Sequence, residues 1–272
     1  MKPLLLLASL AAAALFAQQH HESVGFKDTP MLPGLPWRVH DIDRPHPAVV
    51  TPAAAIGQPP WDAIVLFDGK DLSHWEQRGR GADRGKMVAP KWKVTDGYFE
   101  AAPGSGDLIS REKFGDAQYH VEWCEPESIK GESQDRGNSG FIIMSRYEIQ
   151  VLDSFNNLTY ADGQAGAIYG QWPPLVNPAR KQGEWNTYDI VFEAPVFENG
   201  ALKKPAFVTV FFNGIVVHNR KEIIGRMVYR QVGTYAPHET EEPLLLQDHN
   251  HPVRYRNIWV RKLKGYDQPE KR

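Results

Sequence analysis

The sequence of 272 residues has a single cysteine, Cys124, so it can form no internal disulfide and must rest on its core. Cys124 follows Trp123 in an alternating segment with no Cys-His signature around it, which marks a buried structural thiol. Neither charge sign dominates. Lys and Arg number 31 against 33 Asp and Glu, a formal net charge of -2, and such balance supplies no general field to attract nucleic acid or an anionic membrane. There is no P-loop, no glycine-rich dinucleotide fingerprint, no Gly-x-Ser-x-Gly elbow and no His-Glu-x-x-His, which removes several enzyme classes. No internal repeat and no sustained helical periodicity appear, and no apolar run is long enough to span a bilayer.

What is present begins with a leader. Met1-Lys2 gives a small positive start, Leu4 to Phe16 is apolar or small, and Ala17 leads into Gln18-Gln19-His20-His21. This pattern predicts a signal peptide over 1–21 and export to the periplasm or beyond. Leu15 makes the small-x-small cleavage pattern imperfect, and no cysteine near the junction could accept a lipid. Residues 22–60 are proline-rich, which forbids a long helix or a central strand and predicts an extended arm. Its Trp37, Val39, Ile42, Val49 and Val50 suggest that it packs along a domain. That domain is expected over 61–264, followed by a polar tail over 265–272. Hydrophobic content of 42% and charged content of 24% suffice for an ordinary core.

From Trp61 onward the pattern is β. Ile64 to Phe67 is a short strand closed by Asp68-Gly69, and Thr95-Asp96-Gly97 and Asn213-Gly214 are hairpin turns that need positive φ. Tyr119 to Cys124 alternates with period two, setting Tyr119, Val121 and Trp123 on one face and His120, Glu122 and Cys124 on the other. Phe141 to Met144, Tyr147 to Leu152, Thr187 to Phe192, Phe207 to Phe212, Pro243 to Leu246 and Val253 to Val260 continue the series. Many short strands with Gly, Asn and Asp turns predict an all-β sandwich or jelly roll of two antiparallel sheets. Eight Trp and ten Tyr are many for this length, and aromatic faces serve both a β core and a sugar site.

The candidate chemistry lies in short polar segments. Glu148 and Gln150 are two apart on one strand and share a face; Asp153 joins them only through a bulge. Such a rack suits polyhydroxyl binding or acid–base work, although an exposed strand face is often simply polar. Asn138, just upstream, adds an amide or marks a turn. Gln247-Asp248-His249-Asn250-His251 is dense in hydrogen-bonding groups at a strand end. Asp248, His249 and His251 could hold a divalent metal, could exchange protons near neutral pH, or could form a solvated loop. Arg256 is a surface charge or a clamp on carboxylates. Tyr169 and Trp185, each beside glycines, are stacking platforms or core.

Taken in order, Leu66-Phe-Asp-Gly-Lys-Asp-Leu-Ser-His-Trp75, Asn138-Ser-Gly140, Tyr147-Glu-Ile-Gln-Val-Leu-Asp153, Gly166-Ala-Ile-Tyr-Gly170, Gly183-Glu-Trp-Asn186, Asn213-Gly214, Leu246-Gln-Asp-His249 and Arg256-Asn-Ile258 resemble the 3-keto-disaccharide hydrolase domain family over Trp61 to about Leu263. The resemblance implies a concanavalin A-like jelly roll, export, and cleavage of small glycosides already oxidised at C3, with the sugar on a concave face. One departure is visible: Asp248-His249 is followed by Asn250 and His251 where the family has glycine. A C3 ketone acidifies the C2 proton, so a base can start elimination of the C1 oxygen, with water adding afterwards. On this reading Glu148 or His249 is the base, and Arg256 or a metal near Asp248 and His249 holds the enolate. Asn138, Gln150, Asp153, Tyr169, Trp185, Gln247 and His251 would position the sugar. Two other readings stay open. Glu148 to Asp153 resembles the acidic rack of laminarinase-type glucanases with Gln150 and Asp153 in place of acids, and the same fold also supports non-catalytic sugar binding.

Overall fold

The computed structural model describes residues 24–268; the predicted leader lies outside them. The chain divides into two units, one of Val49–Gly265 and one of residues up to Ala48 together with those from Tyr266 on. In the smaller unit the arm folds on itself. Phe26 bridges Asp41, Met31 bridges Arg38, and Asp267 accepts hydrogen bonds from Trp37 Nε1 (3.0 Å) and Arg44 Nε (2.7 Å). Among the described residues no helix is long and apolar enough to cross a membrane.

The larger unit is an all-β sandwich, as expected. Its eight-stranded sheet runs β14 (Ile215–Glu222), β13 (Phe207–Phe212), β10 (Asn186–Glu193), β7 (Ala117–Cys124), β16 (Arg254–Lys262), β5 (Tyr98–Glu100) and β4 (Lys93–Thr95), with β1 (Ile64–Phe67) also paired to β16. The six-stranded sheet runs β3 (Met87–Val88), β2 (Trp75–Arg78), β6 (Leu108–Phe114), β15 (Glu242–Leu246), β8 (Ser139–Ile143) and β9 (Tyr147–Val151). A small hairpin joins β11 (Val196–Glu198) to β12 (Ala201–Lys204). The pairings within these sheets are antiparallel.

Local chemistry sets the corners. Asp96 (φ 47°) and Gly97 (φ 80°) close β4–β5, and Asn213 (φ 51°) and Gly214 (φ 78°) close β13–β14, so both tight turns adopt the positive φ that Asp-Gly and Asn-Gly tolerate. Between the sheets lies one core, to which β7 gives Tyr119, Val121 and Trp123 and β9 gives Tyr147, Ile149 and Val151. The two layers meet ring to ring: Tyr119 against Phe141 at 5.7 Å and Tyr147 against Phe192 at 5.6 Å. Strand alternation then has a consequence for polar residues. Every second side chain of a central strand must stand on an outer face.

Candidate functional site

Two cross-strand rows cover the outer face of the six-stranded sheet. Register aligns Ile109 with Leu245, Leu245 with Ile142, and Ile142 with Glu148. The first three form a small apolar cluster under Met227, so the row is sealed until it reaches Glu148. The neighbouring row is polar: Asp107 lies one residue before Leu108, Gln247 one residue after Leu246 and beside Gly140, and Gly140 opposite Gln150. Arg78 extends this row, its N–H donating to the Asp107 carbonyl at 3.0 Å.

Glu148 occupies the junction of these rows. It is only 4% exposed, and its carboxyl makes no hydrogen bond among the described residues. Glycine at 140 makes the room: a Cβ built there would stand 2.5 Å from Glu148 Oε1, so the carboxyl leans over the polar row. Burial, with the charge of Asp107 added, pushes this carboxyl up to about 8. It therefore exchanges a proton near neutral pH. Asp107 itself is pushed up by burial, against the Asp248 N–H and the Arg80 and Arg78 guanidiniums, which pull it down.

Amides and phenols surround it. Gln150 Nε2 donates to Asn138 Oδ1 (3.2 Å) and Gln134 Oε1 (3.2 Å), leaving Gln150 Oε1 buried without a partner. Asn138 Nδ2 donates to the Gln134 carbonyl at 3.0 Å. Tyr169 N–H donates to the Glu148 carbonyl at 3.2 Å, and the Tyr169 hydroxyl meets that of Tyr160 at 3.1 Å. Burial raises the Tyr169 phenol, and Tyr160 and Glu148 add to the shift, so it stays an O–H donor. A cavity of about 560 Å³ lies beside these rings, lined by Tyr160, Tyr169, Tyr229 and Arg230 among others.

The structure thus brings Glu148, Gln150, Asn138, Gln247 and Tyr169 to one face. It does not bring Arg256 or Trp185 there. Arg256 stands on the outer face of the other sheet, its Nε donating to Glu122 at 2.6 Å and its guanidinium 4.1 Å from the Trp185 ring. A bulge in β16, with Asn257 at φ 46°, points Arg256 and Asn257 outward together while Tyr255 and Ile258 remain in the core. Asp153 also leaves the rack. No bulge returns it to the Glu148 face; its Oδ2 lies 2.7 Å from Arg136 Nε, an ion contact whose N–H is not aimed along it.

Asp248 is a buried loop anchor. Its Oδ2 accepts from Gly106 N–H (2.8 Å) and its Oδ1 from Gly104 (3.2 Å) and Asn250 (3.0 Å). His249 is exposed and stacks on His251 at 6.2 Å, while His251 Nε2 sits 3.4 Å from Asp135 Oδ1. Neither imidazole bonds Glu148. With Asp248 filled by N–H groups, these three side chains do not fit a metal set, and among the described residues no group of three or more His, Cys, Asp or Glu could hold an ion. Asp107, Gln134 and Tyr160 escaped the sequence reading. Only the Gly104-Ser-Gly-Asp107 turn before β6 hinted at the first.

Residues 62–261 match the family described as 3-keto-alpha-glucoside-1,2-lyase-like domain. The chain belongs to this family. Family membership sets it among carbohydrate-active proteins. A solved structure from Parabacteroides distasonis ATCC 8503, described as a candidate glycosyl hydrolase, is 43% identical with a TM-score of 0.76, covering 86% of this chain and all (100%) of its own. A second from the same organism and of the same description is 20% identical with a TM-score of 0.55, covering 75% and 94%, and supports the fold alone. A search of curated proteins found no match.

Proposed function

We propose that this protein cleaves glycosides already oxidised at C3, with Glu148 as the base that removes the C2 proton. One observation carries the reading: a carboxyl that is buried, unpartnered and raised to about 8, on a sheet face flanked by amides and tyrosines. The family description, a 3-keto-alpha-glucoside-1,2-lyase-like domain, supports it.

The C2–H bond breaks, its proton passes to Glu148, and its electron pair forms the C2=C3 enolate. The Tyr169 hydroxyl, kept protonated, would donate to the charge developing on the sugar oxygen. As the C3 carbonyl reforms, C1=C2 forms and the C1–O bond breaks. Glu148 returns the proton to the departing oxygen, and water adds to the enone for net hydrolysis. Gln150, Gln247 and Asn138 hold hydroxyls. The apolar leader supports action in the periplasm or outside the cell.

A second reading has an observation of its own. Asp107 couples electrostatically to Glu148, so this pair, and not Glu148 with Asp153, would serve conventional two-carboxylate hydrolysis. The test is sugar release from a 3-keto-glucoside and from the same glucoside unoxidised. Release from the oxidised substrate alone, falling at least about 100-fold in Glu148→Gln, is the expected result. Turnover of the unoxidised glucoside would favour the carboxylate pair, and binding without turnover of either would make the protein a sugar-binding module.

A further inference from the structure

At the far end of the polar row, between β2 and β3, the chain reads Arg78-Gly-Arg-Gly-Ala-Asp-Arg-Gly-Lys86. Its glycines fold the segment back on itself. Gly79 N–H donates to the Lys86 carbonyl at 2.9 Å, a Cβ at Gly79 would strike the Asp83 carbonyl oxygen at 2.4 Å, and Gly81 (φ 59°) and Gly85 (φ 84°) take left-handed backbone. As a result Arg78, Arg80, Arg84 and Lys86 line a single cavity of about 590 Å³, with Asp107 on its wall.

The charges there do not cancel. Arg80 is engaged, NH2 donating to the Asp248 carbonyl at 3.1 Å, and Lys86 lies 3.9 Å from Asp83. Arg78 and Arg84 form no side-chain hydrogen bond or ion pair among the described residues, and both are exposed. The carboxyl on the cavity wall, Asp107, feels Arg80 and Arg78 but is pushed up by burial, and Asp248, 3.8 Å from Arg80, is already filled by backbone N–H groups. Gathering four cations around one cavity is unfavourable unless an anion enters it. Guanidinium forks suit carboxylate and sulfate oxygens. The loop also belongs to the same face as Glu148. Asp107, just before β6, stands three strands from β9 and the loop's own β2 four, roughly 14 and 19 Å at about 4.8 Å per strand.

We propose that this loop is an anion subsite, binding a carboxylate or sulfate group carried by the saccharide that occupies the Glu148 face, so that the preferred substrate is an acidic glycoside. The proposal rests on reading that face as the saccharide site. Calorimetric titration of the full chain with cellobiose, a glucuronosyl-glucose and cellobiose 6-sulfate tests it.

The expected result is at least tenfold tighter binding of one or both acidic disaccharides than of cellobiose, weakening between 50 and 300 mM salt by about threefold or more. Preference for the uronosyl sugar assigns the carboxylate, and preference for the sulfated one assigns the ester. The double variant Arg78→Gln with Arg84→Gln is expected to lose that preference with an unchanged melting temperature. Equal affinity for acidic and neutral sugars, a preference that survives the double substitution, or binding of none of the three overturns the proposal. These sugars are not oxidised, so a failure to cleave 3-keto-glucosides leaves this result standing, and the reverse also holds.

Discussion

The two outer faces of the sandwich carry perturbed titratable groups for opposite reasons. On the eight-stranded sheet, burial works against the His120 imidazolium, but hydrogen bonds to Asp189 and Glu122 more than offset it and hold the ring up to about 9. His120 Nδ1 meets Asp189 Oδ1 at 2.7 Å, the ring stacks on Trp259 at 5.2 Å, and Asn257 Nδ2 reaches Glu122 Oε1 at 2.8 Å. Glu122 is penalised by burial, yet His120, Asn257 and Arg256 hold it down at about 2. Each charge there has its counter-charge. On the six-stranded sheet, Glu148 is raised by burial and by a like charge, with nothing to satisfy it. A large shift therefore does not by itself mark a site. A shift left uncompensated is the better pointer.

The sharpest way to break this contrast is to remove one group from each face. Glu148→Gln deletes a charge without orphaning a partner, so its melting temperature should be no lower than that of the wild type while sugar release is lost. His120→Ala should do the reverse. It leaves Glu122 and Asp189 without their shared donor, and a loss of about 2 kcal/mol, roughly 6 °C in melting temperature, is expected with turnover retained. Scanning calorimetry beside the 3-keto-glucoside assay reads both, and a His120→Ala enzyme that is stable but inactive would reverse the assignment of faces.

pH sharpens the same comparison. As the proposed base, Glu148 must be ionised, so kcat/KM should rise with pH through about 8, and Asp107→Asn should move that midpoint lower. Stability runs the other way. Glu148 is raised from 4.5 to about 8, so its contribution is complete below 4.5 and lost as pH rises through 8. His120 is raised from 6.5 to about 9, and its contribution is lost between those values. Glu122, lowered from 4.5 to about 2, contributes above 4.5 and loses that contribution as pH falls through 2. Thermal unfolding from pH 3 to 9 should show Glu148→Gln flattening the decline between 4.5 and 8, and His120→Ala flattening the one between 6.5 and 9.

The smallest effect is expected at Arg256. Its side chain is 41% exposed and pairs with Glu122 on the face away from Glu148. Arg256→Gln should change turnover less than about twofold and stability by about 1 kcal/mol, which steady-state kinetics and calorimetry will show. A loss of turnover comparable to that of Glu148→Gln would return Arg256 to the chemistry.

Much of the sandwich was legible because it is local. Alternation in Tyr119 to Cys124 assigned inner and outer residues, and Asp96-Gly97 and Asn213-Gly214 fixed hairpins through their backbone preferences. Glu148 and Gln150 shared a face for the same reason. The site was harder, since its members come from five separate stretches of chain. Parity ranks residues within a strand but is silent on which sheet that strand joins. Glu148 and Arg256 both face outward, and sequence offered no sign that their strands lie in different layers. A bulge at Asn257 turned Arg256 outward, and the end of β9 at Val151, followed by Leu152 in the core, left Asp153 to pair with Arg136.

The sequence by itself therefore determined an all-β chain, its turns and the family, and offered Glu148 and His249 as candidates for a base. Only the tertiary structure decided which polar side chains Glu148 meets. Burial, the approach of Asp107 and the space over Gly140 are properties of strand pairing between residues far apart in the chain, and those pairings, not the residue types, give Glu148 a proton it can exchange near neutral pH.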